Sequence, residues 1–197
     1  DHRQINVAPS SLITSNTITI SGISAGTTLS INGGEYSLSC NGTFAVASIA
    51  VSGNITLCVR QTAPANFDAT TTATLTLSGN TSFSRTFSVS TSTADTTPNP
   101  FSFQEQNNVA LNVVITSNTV TITGLNSLSP ISIAGGTYSI GCNGTYIGTS
   151  GMIANNQTVC IRITSAATNG TLLTATLTVG GVSGSFNVRT QAPLTGN

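Results

Sequence analysis

The chain has 197 residues, of which 5% are charged, and its five cations balance its five acids. A neutral surface of this kind excludes the electrostatic footprint of a nucleic-acid or anionic-membrane binder. No apolar run approaches the roughly 18 residues of a membrane-spanning helix, and 38% hydrophobic residues in alternating order point to a folded β protein rather than disorder.

The first residues, Asp1–Ser10, carry neither a basic segment nor an apolar stretch, so Asp1 is read as a mature start after export. From Asn16 to Ile20, Thr alternates with Ile, the period-two pattern of a half-buried strand. Glycine-rich and Asn-Gly turns follow at Gly33–Gly34 and Asn41–Gly42. Ile55, Leu57 and Val59 then face one way while Thr56, Cys58 and Arg60 face the other. Leu75 and Leu77 alternate with Thr74 and Thr76, and Phe87-Ser88-Val89 closes the series. Thr91–Pro100 is polar and proline-containing, which is linker composition. Phe101-Ser102-Phe103 then begins what reads as the first strand of a second series.

That second series repeats the first. Ile13–Gly22 returns as Ile115–Gly124, Gly33–Thr43 as Gly135–Thr145, and Leu57–Arg60 as Val159–Arg162, all at an offset of 102 with 30 identities through Thr76. The offset falls to 99 at Phe87–Val89 against Phe186–Val188, so the first copy carries a three-residue insertion near Gly79–Arg85. The reading is therefore all-β, with two tandem immunoglobulin-like or fibronectin-like β-sandwiches at residues 1–92 and 93–197.

The four cysteines form two equivalent pairs, Cys40 with Cys58 and Cys142 with Cys160. Three pairings are open to four cysteines, and a duplicated module that closes on itself selects one disulfide within each copy. Such bonds belong to an oxidising compartment. Cys58 shares the Thr56 and Arg60 face, so the staple is expected on a rim or outer face.

Catalytic chemistry finds no purchase. His2 is the single histidine and lies at the terminus, which leaves no Ser/His/Asp or Cys/His set. Glu35 becomes Thr137 and Asp68 becomes Gly170 in the second copy, so no carboxylate pair repeats. No cluster of acids offers calcium ligands, and the absence of Lys excludes Lys–Asn isopeptide links. The expectation is no enzyme, no cofactor and no metal. Arg60 and Arg162 read as solvated or locally bonded strand residues, with partner contact as the alternative. Tyr36, Tyr138, Phe44 and Tyr146 read as core or rim packing rather than a sugar platform. The sequons at Asn41, Asn54, Asn80, Asn143, Asn156 and Asn169 are what an Asn-, Ser- and Thr-rich chain produces by chance.

Subtracting 102 from Phe101–Phe103 places the matching strand at or before Asp1, so the first copy is expected to lack it. A sandwich without an edge strand presents unpaired backbone groups and bare core; either the parent chain was longer and has been cut, or a strand from another subunit completes the sheet. Phe101, Ser102 and Phe103 are the subunit-contact strand this suggests, with the tail Thr190–Asn197 as a weaker donor.

The linker Asp95–Pro98 with Phe101-Ser102-Phe103, then Ile115–Thr119, Tyr138-Ser139-Ile140 and Thr174–Thr178, resembles Ig-like repeat domains of large secreted and surface proteins of Gram-negative bacteria. The resemblance implies spacers, adhesin stalks and fibre building blocks. The expected function is a non-enzymatic extracellular structural protein, a fibre subunit self-associating by edge-strand pairing. The alternatives are an adhesin segment binding carbohydrate or a host protein, and a phage or virion decoration protein.

Overall fold

The computed structural model describes residues 2–193, which contain sixteen β-strands and no helix. They divide into two compact units between Ala94 and Asp95.

The first unit contains β1 (His2–Val7), β2 (Leu12–Thr14), β3 (Ile18–Asn32), β4 (Glu35–Leu38), β5 (Ile49–Thr62), β6 (Thr70–Gly79) and β7 (Phe83–Thr91). Their order is β1-β7-β6-β3-β5-β2, with β4 also on β5. The long β3 serves both layers: Ile18–Ile20 pair with β5, and Thr27–Asn32 pair with β6. Between these stretches the register shifts at Ile20/Ile23 and Ile23/Thr27, where Gly22 and Gly26 take positive φ and let the strand turn from one sheet to the other.

The second unit contains β8 (Gln106–Val109), β9 (Val114–Thr116), β10 (Val120–Thr121), β11 (Ser129–Ala134), β12 (Thr137–Ile140), β13 (Gly151–Ile153), β14 (Thr158–Thr164), β15 (Leu172–Val179) and β16 (Val182–Thr190). Here the two sheets are separate, β10-β14-β12 with β9 on β14, and β13-β11-β15-β16-β8. Where β3 and β5 run through the bend, their counterparts break into β10/β11 and β13/β14. Each unit encloses one apolar cluster, built around Leu29, Leu57, Leu75 and Phe87 in the first and around Ile131, Ile161, Leu177 and Phe186 in the second.

Both disulfides are present, Cys40–Cys58 and Cys142–Cys160. The expected outer-face position needs correction. Cys58 and Cys160 stay out of the apolar clusters, yet they are 4% and 3% exposed. The reason is the turn after β4, where Ser39 and Cys40 take positive φ and the Ser39 amide donates to the Thr56 carbonyl at 2.6 Å, laying Cys40 over Cys58.

The expected missing strand is also corrected. Phe101–Phe103 forms no ladder, and the first strand of the second unit is β8, parallel to β16 with Gln106 opposite Val188. The first unit has its counterpart in β1, parallel to β7 with Gln4 opposite Val89. The alternation of Phe101 and Phe103 has a different cause: the rings pack on the second unit's apolar cluster from an extended segment.

Candidate functional site, an open cleft in the first unit

In the second unit the leading segment runs along open backbone. The Asn99 amide donates to the Thr123 carbonyl at 2.8 Å, just beyond β10, and the Gln104 amide donates to Asn118 Oδ1 at 2.8 Å. Phe103 is 8% exposed and belongs to the cluster that includes Ile122, Leu177 and Phe186. Phe101 is half-buried and meets Phe103 edge-on, with ring centroids 6.2 Å apart. Gly184 makes room for it, since a Cβ there would sit 2.7 Å from Phe101 Cε2.

The same place in the first unit is a cleft of about 520 Å³. Its lining includes Ile18 and Ile20 of β3, Leu75 of β6, and Phe83, Arg85 and Phe87 of β7. The counterparts of Ile20, Leu75 and Phe87 at the offsets of 102 and 99 are Ile122, Leu177 and Phe186, members of the cluster that takes Phe103. Strand pairing confirms the 99 offset, because Arg85 faces Leu75 just as Gly184 faces Leu177. Ile20 is half-buried whereas Ile122 is 1% exposed.

A sheet edge borders the cleft. β1 pairs with β7 from Phe87 onward, and β6 pairs with β7 from Phe83. Ile18–Ile20 pair with β5, while β6 reaches β3 only from Thr27. Edges of this kind accept a further strand. At one mouth His2 stacks on Phe87 with centroids 5.6 Å apart and Asn16 lines the wall where the second unit has Asn118. On the opposite wall the Arg85 guanidinium lies 4.2 Å over the Phe83 ring.

Arg60 Nε donates to Glu35 Oε2 at 2.6 Å and its guanidinium lies 4.0 Å over Phe44. Arg162, with Thr137 at the Glu35 position, lies 3.7 Å over Tyr146 and its Nε donates to Thr116 Oγ1 at 3.4 Å. Tyr36 and Tyr138 are core residues whose hydroxyls donate to the carbonyls of Ala47 and Thr149. Burial pushes the Tyr138 phenol above its ordinary range. Among the described residues no three His, Cys, Asp or Glu side chains cluster as metal ligands. Phe101, Ser102 and Phe103 sit in their own unit rather than on a free face. Sequence reasoning located the asymmetry but missed Arg85 and the Ile18–Ile20 edge; the signal for Arg85 was its alignment with Gly184 across the repeat.

No protein-family model matches the chain, and a search of curated proteins returns no match. Solved structures do resemble it. Titin domains Z1Z2 in complex with telethonin match with a TM-score of 0.51 at 12% identity, covering 97% of this chain and 93% of that one. The I9–I11 tandem of titin matches at 0.31 and 12% identity, over 97% of this chain and 64% of the other. A multicopper oxidase variant from Aquifex aeolicus matches at 0.29 and 11% identity, over 95% and 57%. The first of these establishes the fold: a tandem of immunoglobulin-like β-sandwiches, each closed by one disulfide. The two disulfides are consistent with an oxidising or extracellular setting.

Proposed function

We propose that this chain is a non-enzymatic structural protein of a bacterial surface, a fibre subunit joined to its neighbours by β-strand contacts. The observation that carries the reading is the open cleft in the first unit, at the place that Phe101 and Phe103 occupy in the second. Apolar surface beside the Ile18–Ile20 edge favours association, and β-augmentation satisfies both at once. A surface with 5% charged residues offers little repulsion between copies. Contact made at one unit by a segment from elsewhere is heterologous, and it propagates as an open filament where the rotation between copies does not close a ring. The tandem Ig-like units of titin that bind telethonin illustrate that two such domains serve as a protein-binding module.

Negative-stain microscopy of native material and sedimentation of the purified chain at high concentration test the proposal. Filaments and a concentration-dependent rise in mass are expected. A monodisperse monomer at millimolar concentration removes the fibre reading.

A further inference from the structure

The second unit carries an arginine without the acid that its repeat counterpart has. In each unit this arginine stands in the middle of a row that crosses three strands. Arg60 of β5 lies opposite Thr14 of β2 on one side and Glu35 of β4 on the other. Arg162 of β14 lies opposite Thr116 of β9 and Thr137 of β12. Residues opposed in this way project from one face of the sheet, within reach of each other. The turns that lead into β4 and β12 dock alike. A Cβ at Gly34 would sit 2.7 Å from the Arg60 carbonyl oxygen, and one at Gly136 would sit 2.8 Å from that of Arg162. Glu35 and Thr137 therefore hold the same position relative to the guanidinium.

The first unit shows what that position accepts. Glu35 Oε2 takes a hydrogen bond from Arg60 Nε at 2.6 Å, in the one ion pair among the described residues. With Thr137 in place of the carboxylate, the second unit's guanidinium keeps its pose, 3.7 Å over the Tyr146 ring as Arg60 is 4.0 Å over Phe44. Its Nε reaches the Thr116 hydroxyl at the long distance of 3.4 Å. Stacking occupies the face of a guanidinium and leaves the N–H groups along its edge to a planar acceptor. The aromatic partner changes in the same sense, since Tyr146 brings a phenol O–H where Phe44 has none. Around one arginine, then, the second unit exchanges an anionic acceptor for a hydroxyl and adds a donor. That is the chemistry of an anion site.

The surroundings narrow the ligand. Arg162 and Thr137 border a cavity of about 530 Å³ whose apolar lining is Val114, Ile163 and Leu173. Ile163 and Leu173 stand where the first unit has Gln61 and Thr71. No acid lines this cavity. Val114 is 59% exposed and lies opposite Thr164, two residues from Arg162 along β14 and on the same face. At about 3.3 Å per residue, that step is about 7 Å, the spacing of alternate side chains on an extended peptide. We propose that this corner of the second unit binds an extended polypeptide segment through a carboxylate side chain on Arg162, with an apolar side chain two residues away set against Val114. Glu35 is the first unit's built-in occupant of the equivalent position. Arg162 is the specificity-determining residue. The inference is independent of the cleft in the first unit and of the fibre reading.

The test uses the full chain and three capped peptides, acetyl-Glu-Ser-Leu-amide, its Gln-Ser-Leu counterpart and its Glu-Ser-Ser counterpart. Binding is followed through the Arg162 Nε–Hε resonance and the β14 amides. At low salt Glu-Ser-Leu is expected to bind about threefold more tightly than Gln-Ser-Leu, the worth of a partly exposed ion pair. The preference should vanish in molar NaCl, and Glu-Ser-Ser should bind more weakly than Glu-Ser-Leu. Thr137→Glu supplies the carboxylate internally and should abolish the Arg162 response. Glu35→Thr should create the same response at Arg60 Nε–Hε. Both substitutions exchange residues that the repeat already carries at this position, and unchanged amides of Val59 and Ile161 report that each unit stays folded. Equal binding of the Glu and Gln peptides, or an Arg162 response that survives Thr137→Glu, overturns the carboxylate site. Sulfate or glucuronate acting at lower concentration than Glu-Ser-Leu overturns the polypeptide partner.

Discussion

Replacing Phe103 by Ala should open in the second unit the cleft that the first unit already has. The ring is 8% exposed and part of the unit's continuous apolar cluster. Truncating a buried Phe costs about 3–5 kcal/mol from lost transfer free energy and cavity formation. We expect the low end, about 3 kcal/mol, because the site lies at the sandwich margin, where water can enter the space. Tryptophan is absent, so hydrogen exchange by NMR is the better probe. It also supplies an internal control, since Val59 and Val89 report on the first unit while Ile161 and Val188 report on the second. A loss of 3 kcal/mol corresponds to exchange on the order of 100-fold faster at Ile161 and Val188 when exchange tracks unit opening. Val59 and Val89 should be unaffected. A change below tenfold at Ile161 and Val188 means that the leading segment is a linker resting on a finished core. That result would refute the comparison on which the cleft is interpreted.

The remaining predictions concern the staple, the charges and the buried phenol. Converting Cys40 and Cys58 together to Ala should destabilise the first unit by about 3 kcal/mol in the chain-entropy model, read as a lower urea midpoint with the second unit's midpoint unchanged. The Arg60–Glu35 pair has side chains 29% and 39% exposed, so raising NaCl from low to molar concentration should move stability by no more than about 0.5 kcal/mol; a loss above 1 kcal/mol, roughly the upper value for an exposed pair, would refute this. Tyr138 has its phenol raised by burial, so the folded chain keeps it neutral where the unfolded chain ionises at about pH 10. Its contribution is whole below that pH and is lost as pH rises through the folded chain's higher value. Tyr138→Phe should therefore flatten the alkaline fall in stability, and an unchanged pH slope would count against it.

Much of the fold was legible because its signals are local. The Thr/Ile alternation of Asn16–Ile20 runs into a strand that starts at Ile18, with Ile18 and Ile20 half-buried, and the Cys spacing duplicated at 102 gives one bond per unit. The sandwich's internal bridging was less legible. Gln61 stands where the second unit has Ile163, yet it is buried and its amide donates to the Phe87 carbonyl at 2.7 Å, joining β5 to β7. Alternation records only which face a residue takes, and it says nothing of a polar group bonded across the core. Phe101–Phe103 misled for a related reason. An extended segment inserting alternate rings has the periodicity of a strand without its ladder, and only β8 on β16 reveals where the regular pairing begins. The insertion near Gly79 was visible as a gap, but its role depends on Thr27, more than fifty residues distant.

The exposed strand faces explain how a chain so poor in charge can still direct its contacts. On β6 and β7 the hydroxyls of Thr70 and Thr72 pair with those of Ser90 and Ser88 at 2.8 and 3.0 Å. On β15 and β16, Thr174 bonds Asn187, Thr176 bonds Ser185 and Thr178 bonds Ser183 at 2.8–3.3 Å. These cross-strand pairs satisfy polar groups within each sheet and hold register without using charge. A face whose hydroxyls already bond one another has weak demand for a partner, so low charge there does not amount to indiscriminate adhesion. Demand concentrates where pairing is interrupted, along Ile18–Ile20 of the first unit. The second unit covers the matching edge with its own leading segment. Two differences within the sequence fall beside the cleft of the first unit: a three-residue turn insertion, and Arg85 in place of Gly184.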